Sequence, residues 1–284
     1  MIKTNSDGFK IFHNGAWGDF LVWDSSRASA CLTYLKRNSE LGIHVNPFLS
    51  FHESDLSFLK QCPNVRGLIV LGNVRWSGLE HAVLLETLGL DENSQDSIDL
   101  SRLSHLTRCA ITWSKRVSGL PVSTGLKELV LTGCKPVAKN LTELKALVQL
   151  IQLALIKPNI SSLQGIESCV TLNGLEITTA PNLGSIAHLM RLAGSLTELT
   201  LDGCKSIKDI DLIGGMGSLR KLKLLQCGRI ESLSFLSTLK ALEIFSFVGT
   251  EIVDGKLDLL RQVKHVGFED RGHYSHTLKQ LSES

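Results

Sequence analysis

"LTELTLDGC", residues Leu196–Cys204, alternates apolar and polar side chains and then breaks off on a glycine and a cysteine. In an extended chain, side chains two apart point the same way. Leu199 and Leu201 therefore face one side, while Glu198, Thr200 and Asp202 face the other. The same ending closes "LKELVLTGC" from Leu126, and a looser form of it, with Gln in place of Gly, closes "LRKLKLLQC" from Leu219. Looser copies read "VRGLIVLGN" from Val65, "LETLGLDEN" from Leu85, "LTRCAITWS" from Leu106, "LIQLALIKP" from Leu150, "LNGLEITTA" from Leu172, "LEIFSFVGT" from Leu242 and "VKHVGFEDR" from Val263. Successive starts lie 20, 21, 20, 24, 22, 24, 23, 23 and 21 residues apart. A degenerate copy, "LGIHVNPFL" from Leu41, lies 24 residues before Val65 and is expected to supply the first strand of the series.

One unit cannot bury its leucines alone, so the units must stack, each closing its neighbour's core and laying its strand beside the next in a parallel sheet. Between strands, "IKDIDLIGGMGSL" (Ile207–Leu219) and "IESLSFLSTLKAL" (Ile230–Leu242) put apolar residues three to four apart, with Gly or Ser breaks. Such segments are too short for long helices and predict 3₁₀ turns. The template L-x-x-L-x-L-x-x-N/C resembles the short-repeat, internalin-like class of leucine-rich repeat proteins. "CKPV", "CKSI" and "CGRI" also match the C-x-x-[IV] ending of cysteine-containing repeats. The resemblance covers residues 41–271. It implies an α/β solenoid, a horseshoe with a parallel concave β-sheet and a convex side of 3₁₀ turns and short helices. A fold of this kind carries many unrelated functions, so it says little of activity.

Cys134, Cys204 and Cys227 occupy the ninth template position, where the chain turns off the sheet; Asn73 and Asn93 hold that place in earlier units. A cysteine there is a small buried residue with weak hydrogen-bonding capacity. Cys109 falls at an inward leucine position, which again reads as packing. The seven cysteines form no C-x-x-C pair, so neither a zinc ribbon nor a secreted disulfide framework is indicated. A reducing compartment fits best.

The first 40 residues differ from the repeats and predict a cap. "FKIFHNGAWGDFLVW" places two aromatic-rich runs around Asn14-Gly15, a hairpin signal. "DSSRASACLTYLKRN" follows, with Asp24 or Ser25 as helix cap and Ala28, Cys31, Leu32 and Leu35 on one face. Trp17 and Trp23 are expected in the core of this cap, with a ligand site as the alternative. Residues 272–284 are expected to form a polar tail that shields the last unit. The domain reading is thus a cap over 1–40, repeats over 41–271 and a tail over 272–284. His273 and His276 form an H-x-x-H pair, with no convincing third metal ligand nearby.

With Lys+Arg at 30 against Asp+Glu at 28, net charge is +2 and no block of like charges stands out, which argues against nucleic-acid or membrane partners. No run of about 18 apolar residues suggests a membrane span, and "MIKTNSDGFKIF" lacks the apolar core of a signal peptide. A cytoplasmic location is expected. The chain holds no G-x-S-x-G, P-loop, H-E-x-x-H or dinucleotide fingerprint, and its nine histidines do not align into a column. Gly214-Gly215-Met216-Gly217 reads as a tight turn rather than a phosphate cradle. We expect no catalytic site, no metal and no cofactor.

The third, fifth and seventh template positions are expected to project from the concave sheet. They place apolar Ile69, Leu71, Val130 and Ile156 there, with Trp113 at the edge. Beyond these, Glu128, Glu176, Glu198 and Asp202 form an acidic zone that gives way to Lys221 and Lys223. An apolar patch beside charges of both signs is what a protein interface needs. The expected partner is another protein. The chain's size and its repeats behind a compact cap also resemble the leucine-rich repeat immunity proteins of bacterial polymorphic toxin systems. That resemblance implies a chain that neutralises a cognate toxin by occluding its surface, and the acidic zone would suit a basic toxin domain. The alternatives are a regulatory or adaptor subunit docked on an endogenous enzyme, and a secreted, internalin-like binding protein.

Overall fold

The computed structural model describes residues 1–91 and 95–282, so Asn93 lies outside the described residues. Packing divides the chain into two compact units, Met1–Leu129 and the residues from Val130 onward.

The first unit begins with β1 (Ile2–Thr4), β2 (Lys10–His13) and β3 (Asp19–Val22), each antiparallel to the one before it. Helix α1 (Ala28–Arg37) follows, entered through a 3₁₀ turn whose first free amide, on Ser26, is capped by the Asp24 carboxylate. The expected hairpin and helix are both present. β3 is also the first strand of the parallel sheet, continued by β4 (Gly42–Val45), β5 (Gly67–Val70), β6 (Thr87–Leu90) and, beyond the short β7 (Ile98–Asp99), by β8 (Arg108–Thr112). On the return side β7 pairs with β9 (Val117–Ser118).

The copy from Leu41 is displaced by one residue from the template. Ile43 stands opposite Leu68 in the core, and His44 stands opposite Ile69 on the other face. Counting from Leu41 would have reversed the two, because a one-residue slip flips every side chain of a strand. Only Ile43 supplies a side chain that the leucine core accepts.

In the second unit β10 (Glu128–Thr132), which straddles the division, β11 (Gln152–Ile156), β12 (Gly174–Thr178), β13 (Glu198–Asp202) and β14 (Lys221–Leu225) lie in that order. After β15 (Gly228–Ile230) come β16 (Ile244–Ser246), β17 (Thr250–Ile252) and β18 (His265–Gly267); β16 and β18 extend the sheet, and β15 pairs with β17 on the return side. The register matches template positions one for one: Leu175, Leu199 and Leu222 are in line, as are Ile177, Leu201 and Leu224, and all are buried. The return segments contain 3₁₀ turns, as at Ile210–Gly215 and Ser234–Thr238. Gly214 and Gly215 sit within the first of these. A Cβ on Gly215 would lie 2.3 Å from the Met190 methyl, so this glycine makes room for packing.

The Gly-Cys ending now has a physical reading. The eighth residue of most units, Gly72, Gly133, Lys157, Thr179, Gly203, Gln226 and Gly249, takes left-handed backbone with φ between 48° and 73°. That conformation swings the chain off the sheet. In the second unit the turning N–H donates to the seventh-residue carbonyl of the next unit: Lys157 to Thr178 and Thr179 to Asp202 at 2.7 Å, Gly203 to Leu225 at 2.9 Å. In three units of the second half the ninth side chain enters the core and caps the sixth-residue carbonyl of the unit before. Cys204 Sγ donates to Ile177 O at 3.6 Å, Cys227 Sγ to Leu201 O at 3.3 Å and Thr250 Oγ1 to Leu224 O at 2.6 Å. Asn73 departs from this pattern. It is exposed, and Val74 takes the inward place in its unit.

The C-terminal end closes by aromatic packing as well as polarity. Phe247 stacks on Phe268 at 4.9 Å, and Tyr274 lies edge-on to both while its hydroxyl accepts from Ile252 N at 3.0 Å. His273 Nε2 lies 3.0 Å from the Ile252 carbonyl, and His276 contacts Arg261 and Ser275. The two histidines are thus engaged separately. α2 (Leu278–Ser282) ends the described chain. Among the described residues no helix is long and apolar enough to cross a membrane.

Candidate protein-docking face

The predicted face residues fall in two groups, one on each unit. In the first unit Ile69 is buried, with its Cγ1 3.3 Å from where a Cβ on Gly89 would stand. Leu71 is 38% exposed, and Trp113 is half-buried. Glu128 is fully engaged: Oε1 accepts from Arg108 Nε at 3.1 Å and Oε2 from Trp17 Nε1 at 2.8 Å. Trp23 packs in the core as expected, but against residues beyond position 40, stacked on Phe58 at 3.9 Å with its Nε1 donating to Glu53 at 3.2 Å. Trp17 does not; it leaves the cap core and reaches β10. Ile69 and Glu128 are therefore satisfied from within the chain rather than offered to solvent.

The second unit presents the remaining residues on one register-locked face. From β11 to β16 one row reads Gln152, Gly174, Glu198, Lys221, Ile244 and the next Ala154, Glu176, Thr200, Lys223, Ser246. A third row holds Ile156, Thr178, Asp202 and Leu225. Gly174 leaves space over which the Gln152 amide lies; a Cβ there would meet Gln152 Oε1 at 2.0 Å. Val130 and Ile156 are half-buried.

The charges in these rows are not equivalent. Glu198 is paired with Lys221, Nζ to Oε2 at 3.0 Å, a half-exposed contact of small net worth. Glu176 is exposed and is approached only by the Thr178 hydroxyl, at 3.4 Å. Among the described residues neither Glu176, Asp202 nor Lys223 has an ion-pair partner. Two carboxylates diagonal to each other on adjacent strands, with one ammonium beyond them, therefore remain open to an incoming molecule. Opposite charge on that molecule is attracted here without displacing an internal pair.

The thiols are held away from chemistry. Burial pushes Cys109, Cys134 and Cys227 up to about 12 and Cys169 and Cys204 up to about 11. Protonated thiols of this kind are poor nucleophiles and poor metal ligands. Two concavities of the first unit, of about 370 and 420 Å³, lie under Trp76 and Ile98 and between α1 and Val65; neither contains a predicted face residue. Sequence reasoning missed the engagement of Glu128 because the donor, Trp17, lies 111 residues away.

No protein-family model matches the sequence, and no curated protein matches it. Solved structures do. An internalin, inlF, of Listeria monocytogenes is similar with a TM-score of 0.63 at 20% identity, over 88% of this chain and 74% of its own. The functional domain of InlJ from Listeria monocytogenes, which includes a cysteine ladder, is similar with a TM-score of 0.52 at 17% identity, over 81% of this chain and 54% of its own. At these identities the likeness is one of fold: the chain is built as a leucine-rich repeat solenoid of the internalin-like, short-repeat kind.

Proposed function

We propose that this is a non-catalytic protein-binding chain whose second unit docks a basic protein surface on the open sheet face. The observation that carries the reading is the pair of unpaired carboxylates, Glu176 and Asp202, fixed by strand register beside half-buried aliphatic side chains. Rigid strands hold these groups without the entropy cost of ordering loops, which favours a specific contact. Within this reading the chain is a cytoplasmic immunity protein that blocks a cognate bacterial toxin. Seven unpaired cysteines suit a reducing compartment, and a basic toxin domain supplies the charge that the face lacks.

The test is a paired capture from the native cell, with wild type and Glu176→Lys/Asp202→Lys as baits. A single basic protein retained by wild type and lost by the variant supports the docking reading. If that protein's toxicity is suppressed by the wild-type chain alone, the immunity reading stands; a captured metabolic or signalling enzyme would replace it with an adaptor role. Equal retention by both baits would remove the acidic face from the interface.

A further inference from the structure

Over β4 and β5 the sheet face of the first unit is already covered, and its cover is this chain's own hairpin. Phe20, in β3, lays its ring across β4 and β5. A Cβ on Gly42 would stand 2.4 Å from Phe20 Cδ1, and one on Gly67 2.9 Å from Phe20 Cε1. Neither glycine has positive φ, so both serve to make room for the ring. Next to this slot Phe12, from β2, lies 4.7 Å from the His44 ring. His44 is buried with Nδ1 unpartnered, and desolvation lowers its pKa to about 4, so it stays neutral beneath the hairpin.

The hairpin tip, residues 14–18, continues past the intervening strands to β10, where Trp17 donates to Glu128. Its backbone bonds are internal: Asn14 N to Gly18 O, Trp17 N to Asn14 O and Gly18 N to Gly15 O, at 3.0–3.2 Å. Gly15 and Gly18 both have positive φ, and Gly15, Ala16 and Gly18 are exposed. At the base, His13 Nδ1 and Asp19 Oδ1 are 2.8 Å apart. Among the described residues, the only side-chain hydrogen bond of the tip beyond its base is that of the Trp17 indole.

We propose that residues 14–18 are a latch over the first unit's sheet face, closed by the Trp17–Glu128 hydrogen bond and opened when a guanidinium group of a partner takes the indole's place on Glu128. The indole already makes a charge-assisted bond, and a guanidinium in its place adds the direct attraction of its own positive charge to the carboxylate. Arg108 already shows how Glu128 receives such a group, through the other oxygen. The latch concerns the first unit alone and is independent of the docking proposed for the second.

The experiment follows exchange of the Trp17 indole N–H by NMR on the full chain, with argininamide as the guanidinium probe and sodium chloride at equal ionic strength as control. Argininamide is expected to speed exchange of this proton several-fold, and sodium chloride to leave it unchanged. Glu128→Ala is expected to speed it about tenfold, the loss of one hydrogen bond to a charged group at a half-buried site, and to abolish the argininamide response. The backbone amides of β5, β6 and β8 should keep their wild-type protection in that variant. An indole proton equally fast in wild type and Glu128→Ala, or one that answers sodium chloride as well as argininamide, would overturn the proposal. So would Glu128→Ala exposing β5 to β8 as much as the tip, which would make Trp17 a brace of the sheet.

Discussion

Thr250 shows at single-residue scale what the ninth position requires. Its hydroxyl donates to Leu224 O at 2.6 Å and accepts from Cys227 N at 2.9 Å, all within the core. Thr250→Val keeps the shape and strands both backbone groups, so it should cost about 1–3 kcal/mol in a denaturant melt; a loss below about 0.5 kcal/mol would show that the column does not depend on capping. Its cysteines predict a pH effect. The five buried thiols at positions 109, 134, 169, 204 and 227 have native pKa values near 11 to 12, against an ordinary value of 9.0. Between those values the folded chain keeps protons that the unfolded chain has lost. Stability is therefore complete below about pH 9 and falls as pH rises toward 12. Melts at pH 8 and pH 10 measure this, and Cys204→Ala with Cys227→Ala should flatten the slope. The ninth template position made Cys134, Cys204 and Cys227 legible in sequence, and an inward leucine position Cys109, whereas Cys169, on a return segment, had no such mark. Nothing marked Lys157, Thr179 and Gln226 as left-handed, because backbone bonds to the next unit impose that conformation on residues that do not prefer it.

At the scale of the strand, phase decides everything. Leu201 is fully buried and Thr200 half-exposed on the opposite face. Leu201→Ala should cost roughly 2–5 kcal/mol, as large-to-small core changes do, and Thr200→Ala well under 1 kcal/mol; equal losses in paired melts would reverse the strand. Regular copies were legible because leucines at the fourth and sixth positions leave one solution. The copy from Leu41 was not, since the template counted from Leu41 turns Ile43 and Val45 outward, whereas pairing with β5 sets both in the core. Asn14-Gly15 announced the hairpin. Its reach to Glu128 had no local signal, because a contact across 111 residues leaves no periodicity in the chain.

At the scale of the whole molecule, the repeat was legible from its period, while the availability of each face residue was not. Ile69 and Glu128 fit the apolar and acidic pattern, yet the chain engages both itself, and Lys221 is spent on Glu198. What remains of the predicted charge is Glu176, Asp202 and Lys223, on the second unit. The central claim is that this face binds a basic protein, and titration of the captured partner by calorimetry tests it most directly, with wild type, Glu176→Lys/Asp202→Lys and, as a control on an exposed return turn, Ser237→Lys. Circular dichroism checks that all three fold alike. Charge reversal at the core of an interface should weaken binding by about 2–5 kcal/mol, with Ser237→Lys unchanged. Undiminished affinity of the double variant, or a loss confined to Ser237→Lys, would contradict the account and move the working surface to the return side.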